Sequence, residues 1–189
     1  MLRDMLPRSG VRLVSWSSVI GFLFIAGCTV NKPKSIEPKS PPPFLATIQE
    51  IMDAEVDPSA DDLWDAVVYI SDLKGSEQRQ PRTDEEWATI RLRAICLIEA
   101  ANLLIMDGRR VSTSTAPGAP GDLPPEEIQR HLDHTRLQFA QFANALKAAA
   151  TQALTAIDSK DPAALTVAGG VIDQTCEVCH VTYWYPRQH

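Results

Sequence analysis

The sequence predicts an all-α fold, an antiparallel four-helix bundle, and three observations carry that expectation. Apolar residues recur at steps of three and four along segments 87–104, 128–154 and 165–183, the spacing of a helical seam. No stretch shows a strand pattern. A run rich in Ser, Thr, Gly and Pro from Val111 to Pro124 separates two of the periodic segments as a surface loop. With 44% hydrophobic residues in the chain, the predicted domain, 44–189, has enough apolar side chains to fill one core. No internal repeat is present.

The elements follow in chain order. Residues 1–27 carry Arg3, Arg8 and Arg12, then Val19-Ile20-Gly21-Phe22-Leu23-Phe24-Ile25, then Ala26-Gly27-Cys28. A charged start, an apolar run and small residues make an export signal. The run is short for a membrane span. Ile25-Ala26-Gly27-Cys28 resembles a bacterial lipobox, and the resemblance implies cleavage before Cys28 and lipid on its sulfur and new amino group. Several acyl chains anchor stably where one does not. The alternatives are an ordinary signal peptide or a short anchor. Segment 28–43 holds Pro33, Pro38, Pro41, Pro42 and Pro43 among polar residues and is expected to be an extended spacer.

The first helix is expected to begin near Pro43, with Leu45, Ile48 and Met52 on one face. Pro58 is expected to interrupt it, with Asp57 capping a second segment that carries Leu63, Trp64, Val67 and Val68. The second helix has the seam Trp87, Ile90, Ala94, Leu97, Ala101, Leu104. Thr83-Asp84-Glu85-Glu86 caps its start, and Arg109-Arg110 follows its negative end. The third opens after Pro124-Pro125 and runs without a break through Ile128, Leu132, Thr135, Phe139, Phe142, Leu146 and Ala149 to Leu154. The fourth starts near Pro162 and uses Leu165, Ala168, Ile172, Cys176, Cys179 and Tyr183.

Cys176-Glu177-Val178-Cys179-His180 closes this last helix. C-x-x-C-H is the attachment pattern of a c-type haem. Residues three apart share a helix face, so the two thiols can each bond one vinyl-derived carbon, and His180 can take the iron from the proximal side. The competing patterns fit less well. A thioredoxin-like C-x-x-C belongs to a βαβ pattern. A zinc site asks for about four ligands, and a plain disulfide leaves His180 unexplained. The expected cofactor is one covalent haem c near the end of the last helix. The export signal agrees with it.

Cys176, Cys179, His180 and Tyr183, at the end of the last of four helices, resemble the cytochrome c′ family over about 44–185. The resemblance implies electron transfer or the binding of small gases such as nitric oxide. It places the opposite face of the haem against the first helix, with an apolar side chain or, in low-spin relatives, a methionine. Two departures stand out: Trp184 follows the aromatic, where the family often has a basic residue, and Pro58 breaks the first helix.

Met52 lies about where the distal residue falls. It is either the sixth ligand, which would raise the potential and favour electron transfer, or a core filler. The expected function is therefore membrane-tethered electron transfer in the cell envelope, on the periplasmic face. The alternative is a gas-binding haem module with a vacant distal position. An enzyme such as a peroxidase needs a distal acid–base group, and no His–Arg pair stands on the first helix, so no enzymatic activity is expected. The chain carries 18 Lys and Arg against 24 Asp and Glu. Loss of residues 1–27 removes three basic residues and one acidic, leaving a net charge of −8. That argues against nucleic acid and suits a basic patch on a redox partner; a homodimer stays open. His131 and His134 are expected on a solvated face, Cys96 as a small buried thiol. Arg91 and Arg93 are placed either at the haem propionates or on plain surface. Gly169-Gly170 implies a close approach or a bend, and Trp184-Tyr185 either a haem edge or a cap on the bundle.

Overall fold

The computed structural model describes residues 46–185. The signal, Cys28, the spacer, Leu45 and His189 all lie outside the described residues.

The chain is mostly helical, with one small two-stranded sheet. In order come α1 (Ile48–Ile51), a π-helical stretch (Met52–Val56), α2 (Asp57–Asp65), β1 (Val68–Asp72), β2 (Gly75–Arg79), α3 (Asp84–Leu104), α4 (Pro125–His134), α5 (Arg136–Asp158) and α6 (Pro162–Tyr183). Capping boxes start α1 and α3. The Thr47 hydroxyl accepts from Glu50 N–H while Glu50 reaches back, and Thr83 and Glu86 repeat the exchange. Asp161 caps α6 through Ala164 N–H.

The helices pack in pairs, α2 on α3, α3 on α5, α5 on α6, and α6 back on α2. The shared core holds Leu97, Leu104, Phe139, Ile157, Leu165 and Ile172, all essentially inaccessible to water. The α3 seam is as expected. Trp87, Ala94, Leu97, Ala101 and Leu104 are buried, and Ile90 packs against them half-buried. Beyond α3, Arg109 Nε–H donates to Leu103 O at 2.9 Å and its guanidinium also reaches Ala46 O. It thereby satisfies one carbonyl at the end of α3 and ties that end to the residue before the Thr47 cap of α1.

Four expectations need correction. The chain is not all-α: Val68–Asp72 pairs antiparallel with Gly75–Arg79, Val68 opposite Arg79 and Asp72 opposite Gly75. The run Val67-Val68-Tyr69-Ile70 is β-branched and aromatic, which suits an extended strand, and Gly75 at φ 140° takes a backbone conformation few other residues tolerate. The first helix thus ends at Asp65, and Val68 belongs to the sheet. The third helix is also not continuous. Thr135, at φ −124° and ψ 33°, separates α4 from α5.

Pro58 does not interrupt the first helix, nor does the Asp57 side chain cap a new one. The helix passes through Pro58 by widening into the π stretch, where Asp57 N–H donates to Met52 O, five residues back. Pro58 accounts for this. It has no N–H to offer the carbonyl of Ala54, and its ring would clash with that carbonyl in an α turn; the wider π ring relieves both problems. The consequence is rotational. In an α-helix, five steps carry a side chain about 140° away from the starting face. The i to i−5 bond instead brings Asp57 back towards the face of Met52.

Candidate functional site

One cavity lies where the last turns of α6 pass the first helix. Its empty space is about 830 Å³, including an open mouth. The first helix contributes Met52, Val56, Asp57, Ala60 and Trp64; α3 contributes Leu104; α5 contributes Phe139, Phe142, Ala143 and Leu146. From α6 come Asp173, Thr175, Cys176, Glu177, Cys179 and His180. Both thiols and the imidazole predicted from C-x-x-C-H therefore face the same space as Met52.

The α6 stripe explains the placement. Leu165, Ala168 and Ile172 are fully buried in the core, and the same spacing continues into Cys176 and Cys179, which are only half-buried because the cavity opens there. Both are free thiols. Burial pushes Cys176 up to about 11, helped by the charges of Asp57 and Asp173, and Cys179 up to about 12. Neither is a thiolate at neutral pH. Burial also lowers the pKa of His180, and the carboxylates of Asp57, Glu177 and Asp122 only partly oppose this. The imidazole is thus held neutral, the state in which a ring nitrogen can donate its lone pair to a metal.

Tyr183 anchors the end of the helix. It is fully buried, shares a hydrogen bond of 2.9 Å with Thr135 Oγ1, and donates to Thr135 O at 3.3 Å. Phe139 and Phe142 meet its ring edge-on, and His131 lies tilted against it with ring centroids 4.8 Å apart. His131 is therefore a packing residue, whereas His134 is exposed, with Nδ1 2.6 Å from Arg130 O. Trp184 and Tyr185 fold back over His180, with ring centroids 5.7 and 5.9 Å from the imidazole. Leu123 N–H holds the turn through Trp184 O at 2.8 Å, and the Tyr185 hydroxyl donates to Glu177 at 2.8 Å.

Other candidates fall elsewhere. Arg91 pairs with Asp158 at 2.7 Å and Arg93 with Asp62 at 2.6 Å, so neither lines the cavity. Cys96 is half-buried on α3. Gly169 is explained by a close approach: Trp64 Nε1–H donates to Gly169 O at 3.0 Å, and a Cβ there would stand 3.2 Å from the indole. Nothing in the structure explains Gly170. Among the described residues, no three His, Cys, Asp or Glu side chains gather as around a bare metal ion. Among the same residues, no helix is long and apolar enough to cross a membrane.

Sequence reasoning missed Asp57, Trp64, Asp173 and Glu177 as cavity residues. A carboxylate facing a cavity has no periodic signature. The Asp57-Pro58 step in the middle of a helical segment is the available signal. Compared with protein-family models, with curated proteins and with solved structures, the chain matches none.

Proposed function

We propose that the chain is a c-type cytochrome, an antiparallel four-helix bundle with one haem c bonded to Cys176 and Cys179 near the end of its last helix. In this proposal it transfers electrons from the periplasmic face of a membrane, held there by lipid on Cys28, and its acidic surface meets a basic redox partner. The observation that carries the proposal is the gathering of both C-x-x-C-H thiols, His180 and Met52 around one largely apolar cavity.

The donor set fits the group. Two thiols three residues apart on one helix wall can form two thioethers, and a half-buried neutral imidazole beside them would supply the nitrogen ligand c-type haems use. Phe139, Phe142, Leu104, Leu146, Val56 and Ala60 offer the apolar surface a porphyrin buries. A bound haem supplies an iron that accepts and returns one electron. The protein's part is to hold it. Cys176 and Cys179 fix the porphyrin edge to α6, His180 is the proximal ligand, and Tyr183 keeps that turn of helix in place. Trp184 and Tyr185 screen the imidazole from water. Met52, offered by the π stretch, has a soft sulfur suited to the sixth position and to ferrous iron. A second reading keeps Met52 as wall rather than ligand; the apolar side chains around it then suit a neutral diatomic gas.

Acid–acetone extraction of the protein made with a c-type maturation system tests the core of the proposal. Colour should stay with the protein. Complete extraction of the pigment, or a colourless product, overturns it. Low-spin absorption bands with a weak sulfur-to-iron charge-transfer feature support the electron carrier, and high-spin ferric bands support the gas module.

A further inference from the structure

We propose that Asp57 is a specificity-determining residue of this site: its carboxylate sets a fixed negative charge on the cavity wall near Met52, which favours oxidised iron and turns away anionic ligands. The inference rests on the haem reading of the cavity.

The argument begins with the backbone. The Asp57 N–H to Met52 O bond of the π stretch brings Asp57 round towards the Met52 face, and both side chains line the cavity. An α-helical register would have carried it away from that face. π turns recur at functional sites for this kind of re-aiming. With the His180 imidazole neutral the field around it has one sign; the protonated ring would be the opposing charge. The charged side chains lining the cavity are Asp57, Asp173 and Glu177, beside the neutral imidazole of His180. Asp53 and Asp61 add to the negative potential at Asp57. Asp57 keeps contact with water at the mouth, yet its neighbours desolvate it enough to raise its carboxyl above the usual range, so its charge acts partly through protein. A ferric iron carries one more positive charge than a ferrous one and gains more from a nearby carboxylate. An incoming anion such as azide meets repulsion, whereas carbon monoxide, being neutral, does not.

The test uses the full, haem-loaded chain at pH 8 and fixed ionic strength. Because the mouth is open to solvent, the expected effect is about threefold, which for one electron corresponds to about 30 mV. Asp57→Asn should raise the midpoint potential by about that amount, and Asp57→Glu should stay close to the parent. In a Met52→Leu background, where the sixth position is free, Asp57→Asn should bind azide about threefold more tightly and leave carbon monoxide affinity of the reduced form unchanged. Asp57→Ser removes the same charge and replaces Asn if that variant fails to accumulate. A haem-bearing charge-removal variant with unmoved potential and azide affinity overturns the role of Asp57 alone. A chain with no covalent haem overturns both this inference and the function it rests on.

Discussion

The two halves of α6 have the same spacing and opposite environments. From Pro162 to Ile172 the stripe Leu165, Ala168, Ile172 is dry, pressed against neighbouring helices. From Thr175 to His180 the stripe continues into Cys176 and Cys179, but there the packing stops and the cavity begins. Tyr183, one turn later, is fully buried again. A seam that is closed, open and closed within one helix is not frayed. The open stretch is flanked by anchored turns, and it carries the two thiols and the imidazole. The first half secures the helix, and the second turns Cys176, Cys179 and His180 to the cavity at a position the first half fixes.

The largest expected effect comes from setting the two halves against each other. Cys176→Ala with Cys179→Ala should abolish covalent haem and leave a partly folded chain, because the apolar lining then loses its main contact. Circular dichroism should show reduced helical content and a broad melt. Native helicity with a cooperative melt at the parent temperature would show that the open half needs no cofactor. Ile172→Ala in the closed half should behave in the opposite way. It should lower stability by about 3 kcal/mol through a core cavity and leave the absorption spectrum of the folded protein unchanged.

Met52→Leu asks whether the far wall takes part. The volume is nearly kept, so packing should lose under ~1.5 kcal/mol. If the sulfur is a ligand, the iron should change from low-spin to high-spin, the potential should fall, and carbon monoxide should bind the reduced form faster. An unchanged spectrum makes Met52 a wall residue and favours the gas module.

How much of this was legible depended on whether the signal was periodic. The α3 seam from Trp87 to Leu104 and the α6 stripe from Leu165 to Tyr183 could be read because burial repeats every three or four residues. The break at Thr135 could not, since Ile128, Leu132, Phe139 and Leu146 keep helical spacing across it and only the backbone of one residue departs. The hairpin is hidden because Val67 and Val68 keep helical spacing with Leu63 and Trp64, although Val68-Tyr69-Ile70 has strand-forming side chains. Pro58 reads as a break because a proline usually is one; a π turn is the less common solution. At the site, the thiols and the imidazole were legible as a motif. The indole of Trp64 and the carboxylates of Asp57, Asp173 and Glu177 were not, because only the packing of α2 against α6 makes them neighbours.

The smallest expected effect concerns the cover over His180. Burial and the Glu177 carboxylate hold the Tyr185 hydroxyl up at about 12, against about 10 in an unfolded chain. The folded state therefore binds this proton more tightly. Its contribution is fully present below about pH 10 and is lost as pH rises from about 10 to 12. Ultraviolet titration of the parent minus that of Tyr185→Phe should show one tyrosine ionising at the top of that window together with a change around the imidazole. Tyr185→Phe should remove both and, since the hydroxyl is partly exposed, change stability little at pH 7. A tyrosinate spectrum at ordinary pH with no such step would show that the turn does not shield the proximal side.

The contact between Trp64 and Gly169 spans 105 positions of the chain. Met52 and His180, on the same cavity, stand further apart still. During synthesis the segments that pair first are near neighbours, as α5 and α6 are. The α3 and α5 walls of the cavity stand open until the first helix meets the last, so it is completed only after α6 has been made. A product cut short before Pro162 would carry the α3 and α5 seams but neither Cys176, Cys179 nor His180. Such a fragment would expose the apolar face that α6 covers and would lack both thiols and the imidazole.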